Sequence, residues 1–430
     1  MTLARKAPHP RHKASGVLWL GDLPSHWQIK RTKYAVDPLR QKTNNIPEDP
    51  FYVAMENIES WTGRLLPGEQ AAEPEGVVGT FQSGDVLFGK LRPYLAKALL
   101  AERDGYCSTE LLALGPKSVH SGFLLYWMLN SDFVREVDGS TYGSKMPRAN
   151  WEFIGNLPIA IPPFEEQRAI AAFLDRETVR IDALIDKKRR LIDLLREQRQ
   201  ALITSAVIRG INPAAELRDS GLETVGPIPR HWLIYGLTKA VARIVDYRGA
   251  TPEKTPSGVF LITTRNIRDG RIDYQASQEF VDEDDFDEIM RRGKPVVGEV
   301  LFTMEAPLGQ AANLDREDVA IAQRIIKISA KRGLLDHYYL KYWILGQWFQ
   351  QDVQSYATGS TASGIKASKL PQLKVAVPPL EEQREIVQFL DCRTERVDNL
   401  IAKVSEAIGL LIEARSSLIS SAVTGKLVVH

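Results

Sequence analysis

The chain contains one long amphipathic pattern twice, and this repeated pattern organises the rest of the sequence. The first copy begins at Ile161 with IPPFEEQRAIAAFLDRETVRIDALIDKK, and the second begins at Val377 with VPPLEEQREIVQFLDCRTERVDNLIAKV. The two copies align without a gap and are identical at more than half of their positions, which indicates an internal duplication. Apolar residues recur at heptad-like spacing in both copies, so each copy predicts one long amphipathic helix.

The residues that flank the pattern also favour helices. The double prolines at 162–163 and 378–379 suit a helix start, where a missing N–H costs nothing. About 45 residues of helix would reach roughly 68 Å, which is longer than a small domain is wide. We therefore interpret 161–210 and 377–430 as helical spacers. A second apolar stripe widens this seam beyond that of a two-stranded coiled coil. In the first copy the stripe consists of Phe173, Ile185, Ile192 and Ile203.

Each spacer follows a block of short β-like runs separated by turns. The two blocks share landmarks: GDVLFGKLRPYLAKA (84–98) parallels GEVLFTMEAPLGQAA (298–312), and NIESWTGRL (57–65) parallels NIRDGRI (266–272). The residues between these landmarks diverge, which is typical of two recognition modules that present different loops on one scaffold.

These patterns predict an α+β, or mixed α/β, fold with two β-rich domains at 16–160 and 211–376. The duplication predicts that the two long helices pack antiparallel around an approximate two-fold axis. The blocks open with WLGDLPSHW and TVGPIPRHW, in which His26 and His231 are interpreted as packing and turn residues.

Composition and charge narrow the class of protein. The net charge of +1 argues against a uniformly basic nucleic-acid coat and leaves room for local basic faces. Cys107 and Cys392 are too few for a disulfide framework, which favours a reducing compartment and a cytoplasmic protein. Residues 1–15 predict a flexible basic arm without the apolar stretch of a secretory signal. No run approaches 18 apolar residues, which argues against a membrane span.

Motifs that would indicate catalysis each lack a residue that the chemistry requires. GDVLFGKL matches the start of a phosphate-binding loop, but Leu91 replaces the required hydroxyl residue and Pro93 breaks the helix that should follow. IPPF resembles a methyltransferase tetrapeptide, but Ile161 stands where an Asn or Asp would hold the target amine. The seven histidines show no metal-ligand spacing. The sequence therefore predicts a non-catalytic protein without a metal or cofactor of its own.

Basic and amide side chains on the divergent blocks are the remaining candidates for function. Clustered Arg, Lys and Asn on loops can hold phosphates and read base edges, so we predict double-stranded DNA as a partner. The alternative for each residue taken singly is a solvated surface position. The candidate DNA contacts are Lys90, Arg92, Tyr94, Lys97, Lys145, Arg148, Arg265, Asn266, Arg268, Arg271, Lys366 and Lys369.

The chain closely resembles the specificity subunits of type I restriction–modification systems. The resemblance lies in the helix starts PPFEEQRAI and PPLEEQREI, the preceding VAVPP strand and the GPIPRHW segment, and it covers about Trp19 to Val429. It implies two target-recognition domains, each reading half of a bipartite, asymmetric DNA site. It also implies two helices that set the gap and dock two methyltransferase subunits. The candidate docking residues, for which burial against the recognition domains is the alternative, are Phe173, Ile185, Ile192, Phe389 and Ile401.

On this resemblance the cofactors belong to partner subunits. S-adenosylmethionine would serve adenine methylation, and ATP with Mg would serve a restriction subunit that cleaves unmodified DNA. Two other classes stay open from the residues alone. One is a stand-alone methyltransferase or nuclease with fused specificity domains. The other is a coiled-coil scaffold that binds only proteins.

Overall fold

The computed structural model describes residues 11–39, 41–66, 76–141, 146–222, 225–247, 252–358 and 364–429. The chain divides into two compact units: unit 1 comprises Met1–Lys188 and Glu406–His430, and unit 2 comprises Arg189–Ser405. Each unit therefore holds one block and a part of both long helices. The α-helices of the described residues are α1 Thr32–Ala35, α2 Ser121–Met128, α3 Ser131–Gly139, α4 Trp151–Asn156, α5 Phe164–Arg209, α6 Leu237–Ala240, α7 Phe286–Ile289, α8 His337–Leu345, α9 Gln347–Ser355 and α10 Leu380–Val423.

Unit 1 builds its block from two four-stranded sheets, ordered β5-β7-β10-β6 and β4-β11-β8-β9, and from the pairs β1-β2 and β12-β3. Pairing is antiparallel except between β10 and β6. A 3₁₀ turn covers Pro93–Leu95. The strands are β1 His12–Ala14, β2 Asp22–Pro24, β3 Gln28–Arg31, β4 Val36–Leu39, β5 Lys42–Thr43, β6 Tyr52–Val53, β7 Val78–Phe81, β8 Val86–Gly89, β9 Ala98–Leu100, β10 Gly105–Cys107, β11 Leu111–Pro116 and β12 Pro158–Ile161.

Unit 2 repeats the central sheet with the order β16-β24-β21-β22 and adds a three-stranded sheet, β20-β17-β23. The pairs β13-β14, β15-β25 and β18-β19 complete it, and 3₁₀ turns cover Thr264–Asn266 and Ala367–Gln372. The strands are β13 Leu217–Asp219, β14 Pro227–Pro229, β15 Leu233–Gly236, β16 Val241–Asp246, β17 Val259–Ile262, β18 Ile267–Arg268, β19 Arg271–Ile272, β20 Phe280–Val281, β21 Val300–Thr303, β22 Ala311–Asn313, β23 Val319–Ile321, β24 Ile325–Ala330 and β25 Lys374–Val377. The mixed α/β prediction is confirmed.

Within each unit, a segment of α5 packs antiparallel to a segment of α10. In unit 1, Gly425 just beyond α10 lies against Pro24 and Trp27, and the Trp27 indole donates to Glu166 at the start of α5. In unit 2, Gly210 at the end of α5 lies beside Glu382 at the start of α10. The two helices have 46 and 44 residues, so the prediction of two long spacers that pack together is confirmed.

The duplicated glutamine explains the signature at the helix starts. The Gln167 side chain is buried, accepts a hydrogen bond from the His120 N–H at 2.7 Å and donates to the Pro162 carbonyl at 2.8 Å. Gln383 accepts from the Asp336 N–H at 2.7 Å and donates to the Pro378 carbonyl at 2.7 Å. Each glutamine thus joins its block to its helix through backbone groups that would otherwise be buried without partners.

The duplicated glutamate that precedes it fixes the start of each block. His26 Nε2 lies 2.9 Å from Glu166, and His231 Nε2 lies 2.7 Å from Glu382. The adjacent tryptophans Trp27 and Trp232 are fully buried in their own units. The structure thus gives both histidines a structural contact at the junction of block and helix.

Two predicted boundaries differ from the structure. The flexible arm was expected over 1–15, but His12–Ala14 forms β1 and pairs with β2, so this part of the prediction is wrong. Residues 1–10 lie outside the described residues. The second helix ends at Val423, short of 430, because Gly425 adopts a φ of +72° that ends a helix. Val429 then packs into the core of unit 1.

Candidate nucleic-acid interface

Two loops of unit 1 bring four of the predicted DNA contacts together. Leu91 and Arg148 form an antiparallel bridge, the Arg92 N–H donates to the Pro147 carbonyl at 2.7 Å, and the Ala149 N–H donates to the Lys90 carbonyl at 3.0 Å. The loop after β8 is therefore tied to the segment before α4. We name Lys90, Arg92, Tyr94 and Arg148 the basic patch.

A carboxylate, that of Glu110, lies beside the basic patch. Arg148 Nη2 lies 2.9 Å from Glu110, and both side chains are partly exposed. Burial lowers the pKa of Lys90, and the nearby Glu110 charge partly opposes that effect. Arg92 and Tyr94 are exposed, and Arg92 has a φ of +50° that turns the chain sharply at this position. The basic patch thus exposes the Arg92 cation and the Tyr94 ring to solvent, while the charge of the neighbouring Arg148 is partly neutralised by Glu110.

Two other candidates of unit 1 do not join this patch. The Lys97 ammonium is half-buried and donates to the Met55 carbonyl at 2.7 Å, which commits it to holding the loop that contains Met55. Lys145 lies outside the described residues.

The equivalent turn of unit 2 has the opposite charge. Glu305 forms an antiparallel bridge with Gly364, and the Ile365 N–H donates to the Met304 carbonyl at 3.0 Å, as in unit 1. Met304 is buried, and Glu305 pairs with Arg324 at 2.9 Å. The backbone arrangement is shared, while the side chains that it presents are exchanged from basic to acidic.

A cleft of about 260 Å³ lies next to this acidic turn. Thr264 at its edge donates to the Ala306 carbonyl at 2.9 Å, which ties the cleft to the turn. Glu279 pairs with Lys254 at 2.7 Å and also with Arg265. Burial opposes ionisation of Glu279, but the Lys254 hydrogen bond and the two positive charges outweigh it and lower its pKa. We name Lys254, Arg265, Glu279, Glu305 and Arg324 the charged cleft.

The prediction that Asn266 contacts DNA is wrong. Its side chain is fully buried, accepts from the Thr263 N–H at 2.9 Å and donates to the Ser277 carbonyl at 2.8 Å. Its counterpart in unit 1, Asn57, accepts from the Ala54 N–H at 2.8 Å. The Asn of the repeated Asn-Ile pair therefore stabilises a turn, because its short side-chain amide forms hydrogen bonds with the backbone groups of that turn.

The remaining candidates of unit 2 are dispersed. Arg271 pairs with Asp398 on α10 at 2.9 Å and so belongs to a helix contact. Lys369 is half-buried, with its ammonium 5.7 Å from the centre of the Tyr356 ring. Arg268 and Lys366 are exposed and stay predictions as DNA contacts. The sequence prediction did not include Lys254, Glu305 and Arg324, which the fold brings together near this turn.

The apolar residues predicted to dock partner subunits are largely covered by other residues of this chain. Ile185 and Ile192 are buried, so the prediction that they dock a partner is wrong. Phe173 and Phe389 are partly buried against the cores of units 1 and 2, and Ile401 is half-buried. Other large apolar residues of the long helices are exposed instead: Val179, Leu410 and Ile412 in unit 1, and Leu191, Leu194 and Leu400 in unit 2.

Among the described residues, no group of three His, Cys, Asp or Glu side chains could hold a metal ion. No helix in the described part of the chain is long and apolar enough to cross a membrane. Each α+β block thus presents charged side chains on an equivalent turn beside a long helix pair, an arrangement that favours a protein that recognises another macromolecule.

The comparisons with known proteins specify which one. A family model described as the type I restriction modification DNA specificity domain matches residues 80–192 and 255–408, more than half of the chain. The chain belongs to this family of specificity subunits, which serve recognition of the DNA target and are non-catalytic.

Individual relatives agree with the family. The type I restriction enzyme EcoDI specificity subunit of Escherichia coli is 30% identical over 156 residues, which span 35% of this chain and only 34% of that protein. The MjaVIII specificity subunit of Methanocaldococcus jannaschii is 22% identical over 339 residues, 76% of this chain and 75% of that protein. A chain solved in work on complex assembly and conformational transition of the type I R-M system has a TM-score of 0.66 at 18% identity. The match covers 93% of this chain and 98% of that chain, and it shows a shared fold.

Proposed function

We propose that this chain reads a bipartite, asymmetric DNA target, with one half-site read by each block. The observation that supports this proposal is the exchange of charge on one scaffold. The turn after β8 presents Lys90 and Arg92, while the equivalent turn after β21 presents Glu305. Two domains with equivalent surfaces would favour two equal half-sites, whereas two domains whose equivalent turns carry opposite charges favour different ones.

The basic patch fits a duplex through phosphate and base contacts. The exposed guanidinium of Arg92 can hold a phosphate or form a bidentate pair with guanine O6 and N7. Arg148 is partly neutralised by Glu110, so its main effect is to orient that carboxylate and the loop. Tyr94 adds an exposed ring beside these charges. We expect the basic patch either to favour guanine at one position of the half-site or to bind phosphates of the DNA backbone.

The charged cleft suits a different base pattern. A carboxylate accepts a hydrogen bond from the amino group of cytosine, and an adjacent arginine holds a phosphate or guanine. Glu305 and Arg324 form such an adjacent pair, with side chains that are 42% and 53% exposed. We propose that opening of this pair on DNA binding releases both groups for base and phosphate contacts.

We propose that the exposed apolar residues of the long helices dock methyltransferase subunits. Contiguous exposed apolar positions on a helix favour association with another apolar face. Leu194 and Leu410, equivalent in the two copies, are 61% and 60% exposed. The docked subunits would supply S-adenosylmethionine for adenine methylation. A restriction subunit, where present, would supply ATP-dependent cleavage with Mg.

The docking proposal is tested by Leu194→Asp and Leu410→Asp, measured by co-purification of the methyltransferase from the same locus. Each variant should lower complex yield, because a charge at the interface centre is buried without a partner. Asp substitution of Ala201, another exposed position of α5, is the control. Complex yield equal to that of the control would refute the assignment of this face.

Selection from a random-sequence duplex library by the assembled complex tests the reading function. Two different half-sites at a fixed separation are the expected result. Recovery of no motif would favour the protein-binding scaffold. Transfer of a labelled methyl group to DNA by the chain alone would favour the stand-alone enzyme.

A further inference from the structure

A carboxylate of α5 joins three separate parts of unit 1. Asp182 accepts from the Arg415 guanidinium of α10 at 2.9 Å and pairs with Arg64 of the block. Arg415 also donates to the carbonyl oxygens of Trp61 and Thr62 at 2.7 and 3.1 Å. We name Arg64, Asp182 and Arg415 clamp 1. It connects the block, α5 and α10 through one buried acid.

Unit 2 contains the same arrangement with the roles of the two helices exchanged. Asp398 of α10 accepts from Arg199 of α5 at 2.9 Å and pairs with Arg271 of the block at 2.9 Å. Arg199 also donates to the Asp269 carbonyl at 2.6 Å. We name Arg271, Asp398 and Arg199 clamp 2. Asp182 and Asp398 occupy equivalent positions of the two helix copies, as do Arg199 and Arg415.

The turn bound by each clamp contains residues with left-handed backbone conformation. Trp61 and Asp269 have φ angles of +68° and +50°, in the left-handed region that L-residues rarely adopt. Gly63 and Gly270 follow with positive φ, and a methyl group there would meet the side chains of Leu125 and Leu345 at 3.3 and 3.1 Å. This turn is therefore pressed against its own block on one side and bound by an arginine of the long helices on the other.

Each clamp also lies well along its helix from the point where the block joins it. In unit 1 the block meets α5 at Gln167, then through Tyr126 at Asp175 and Thr178, and then at Asp182. A contact far from the junction of block and helix resists rotation of the block more strongly than a contact close to that junction. The two helix-borne groups of each clamp are largely buried, whereas the block arginines Arg64 and Arg271 have side chains that are 41% and 61% exposed.

We propose that clamps 1 and 2 are positioning elements that fix the angle of each recognition block on the helix pair and thereby set the gap between the half-sites. The inference rests on the proposed function. One base pair added to the gap moves a half-site by about 3.4 Å and turns it by roughly 34–36°. A block held at one angle rejects such a displaced half-site, whereas a block with a released turn accepts it.

The experiment uses the complex with its methyltransferase and duplexes that contain both half-sites at the native gap or at gaps one base pair longer or shorter. Arg64→Met and Arg271→Met each remove one guanidinium and keep an unbranched side chain. We expect either variant to reduce the preference for the native gap by about tenfold, within the range of mutations that alter coupling between sites. The bases read in both half-sites should not change.

Two controls separate positioning from general damage. Arg180→Met and Arg196→Met remove arginines of α5 that pair with neighbours on the same helix at 3.8 and 3.5 Å, and should keep the native gap preference. Arg64→Lys keeps the positive charge and should restore part of the preference. Thermal unfolding of each variant complex reports on folding, and loss of a half-exposed ion pair changes stability little.

The possible results distinguish a failure of the proposed function from a failure of the clamp inference alone. If the wild-type complex methylates no bipartite duplex, the proposed function fails and the clamp inference fails with it. If the wild type is gap-selective and the Met variants keep its selectivity, only the clamp inference is overturned. An equal fall in rate at all gaps, together with a lower unfolding temperature, would assign the clamps a merely structural role and would also overturn the inference.

Discussion

Replacement of Arg92 by alanine gives the most informative prediction about the basic patch. Arg92 lies on the exposed surface of a turn that is fixed by its own backbone, since its N–H donates to the Pro147 carbonyl at 2.7 Å. Alanine keeps this N–H and removes the side chain beyond Cβ, and with it the guanidinium. Ala306 already occupies the equivalent position of unit 2 with a φ of +47°, so the turn accepts alanine.

The expected magnitude follows from the kind of contact that is lost. One phosphate contact contributes about −0.9 to the slope of log affinity against log salt concentration. If Arg92 holds a phosphate, Arg92→Ala should make the slope shallower by about one and weaken all sequences equally. If it reads guanine, discrimination at one base pair should fall by about 1–3 kcal/mol.

The assay is a salt titration of DNA binding by the assembled complex, with the selected target and single-base variants of it. Arg135→Ala is a matched control, because Arg135 is exposed on α3 of the same unit and pairs with Asp132 at 3.0 Å. Binding by Arg92→Ala with the same slope and the same base preferences as this control would refute the assignment of the basic patch to DNA.

Three further predictions concern the stability and reactivity of the chain. Gln167→Ala should lower the free energy of unfolding by about 2–4 kcal/mol, since two backbone groups lose the buried side chain that satisfies them. Denaturant unfolding measures this, and Gln198→Ala at an exposed position should change it little. Burial lowers the pKa of His337, so the folded state binds fewer protons than the unfolded state and loses stability as pH falls below about 6.5. His337→Gln should reduce this loss, and equal pH dependence of variant and wild type in urea unfolding would contradict it. Burial raises the pKa of the Cys107 thiol to about 12, so mass spectrometry after native alkylation should find label on exposed Cys392 and not on Cys107.

The duplicated helices were predictable because their signal is local and repeated. Heptad-like spacing, a proline pair and a first-turn Glu-Glu-Gln occur in both copies, and each feature acts within a few residues of the helix start. The role of Gln167 was less visible, since its partner His120 lies far away in the sequence. The exact end of α10 depended on the conformation of a single glycine, Gly425.

The recognition surfaces were only partly predictable. Lys90 and Arg148 were both predicted as DNA contacts from basic residues on the divergent blocks, and the structure joins their loops. Asn266 was misread because an Asn beside arginines suits base reading, whereas its burial depends on the turn around it. Ile185 and Ile192 were misread because periodicity shows which helix face is apolar but not what covers that face.

Single-molecule methylome sequencing of DNA from cells that express the chain with its methyltransferase tests the central claim most directly. The account predicts adenine methylation in one bipartite motif with two different half-sites and a fixed gap. It also predicts that exchange of block 1 for that of another specificity subunit changes one half-site only. A continuous or palindromic motif would contradict the assignment of one half-site to each block.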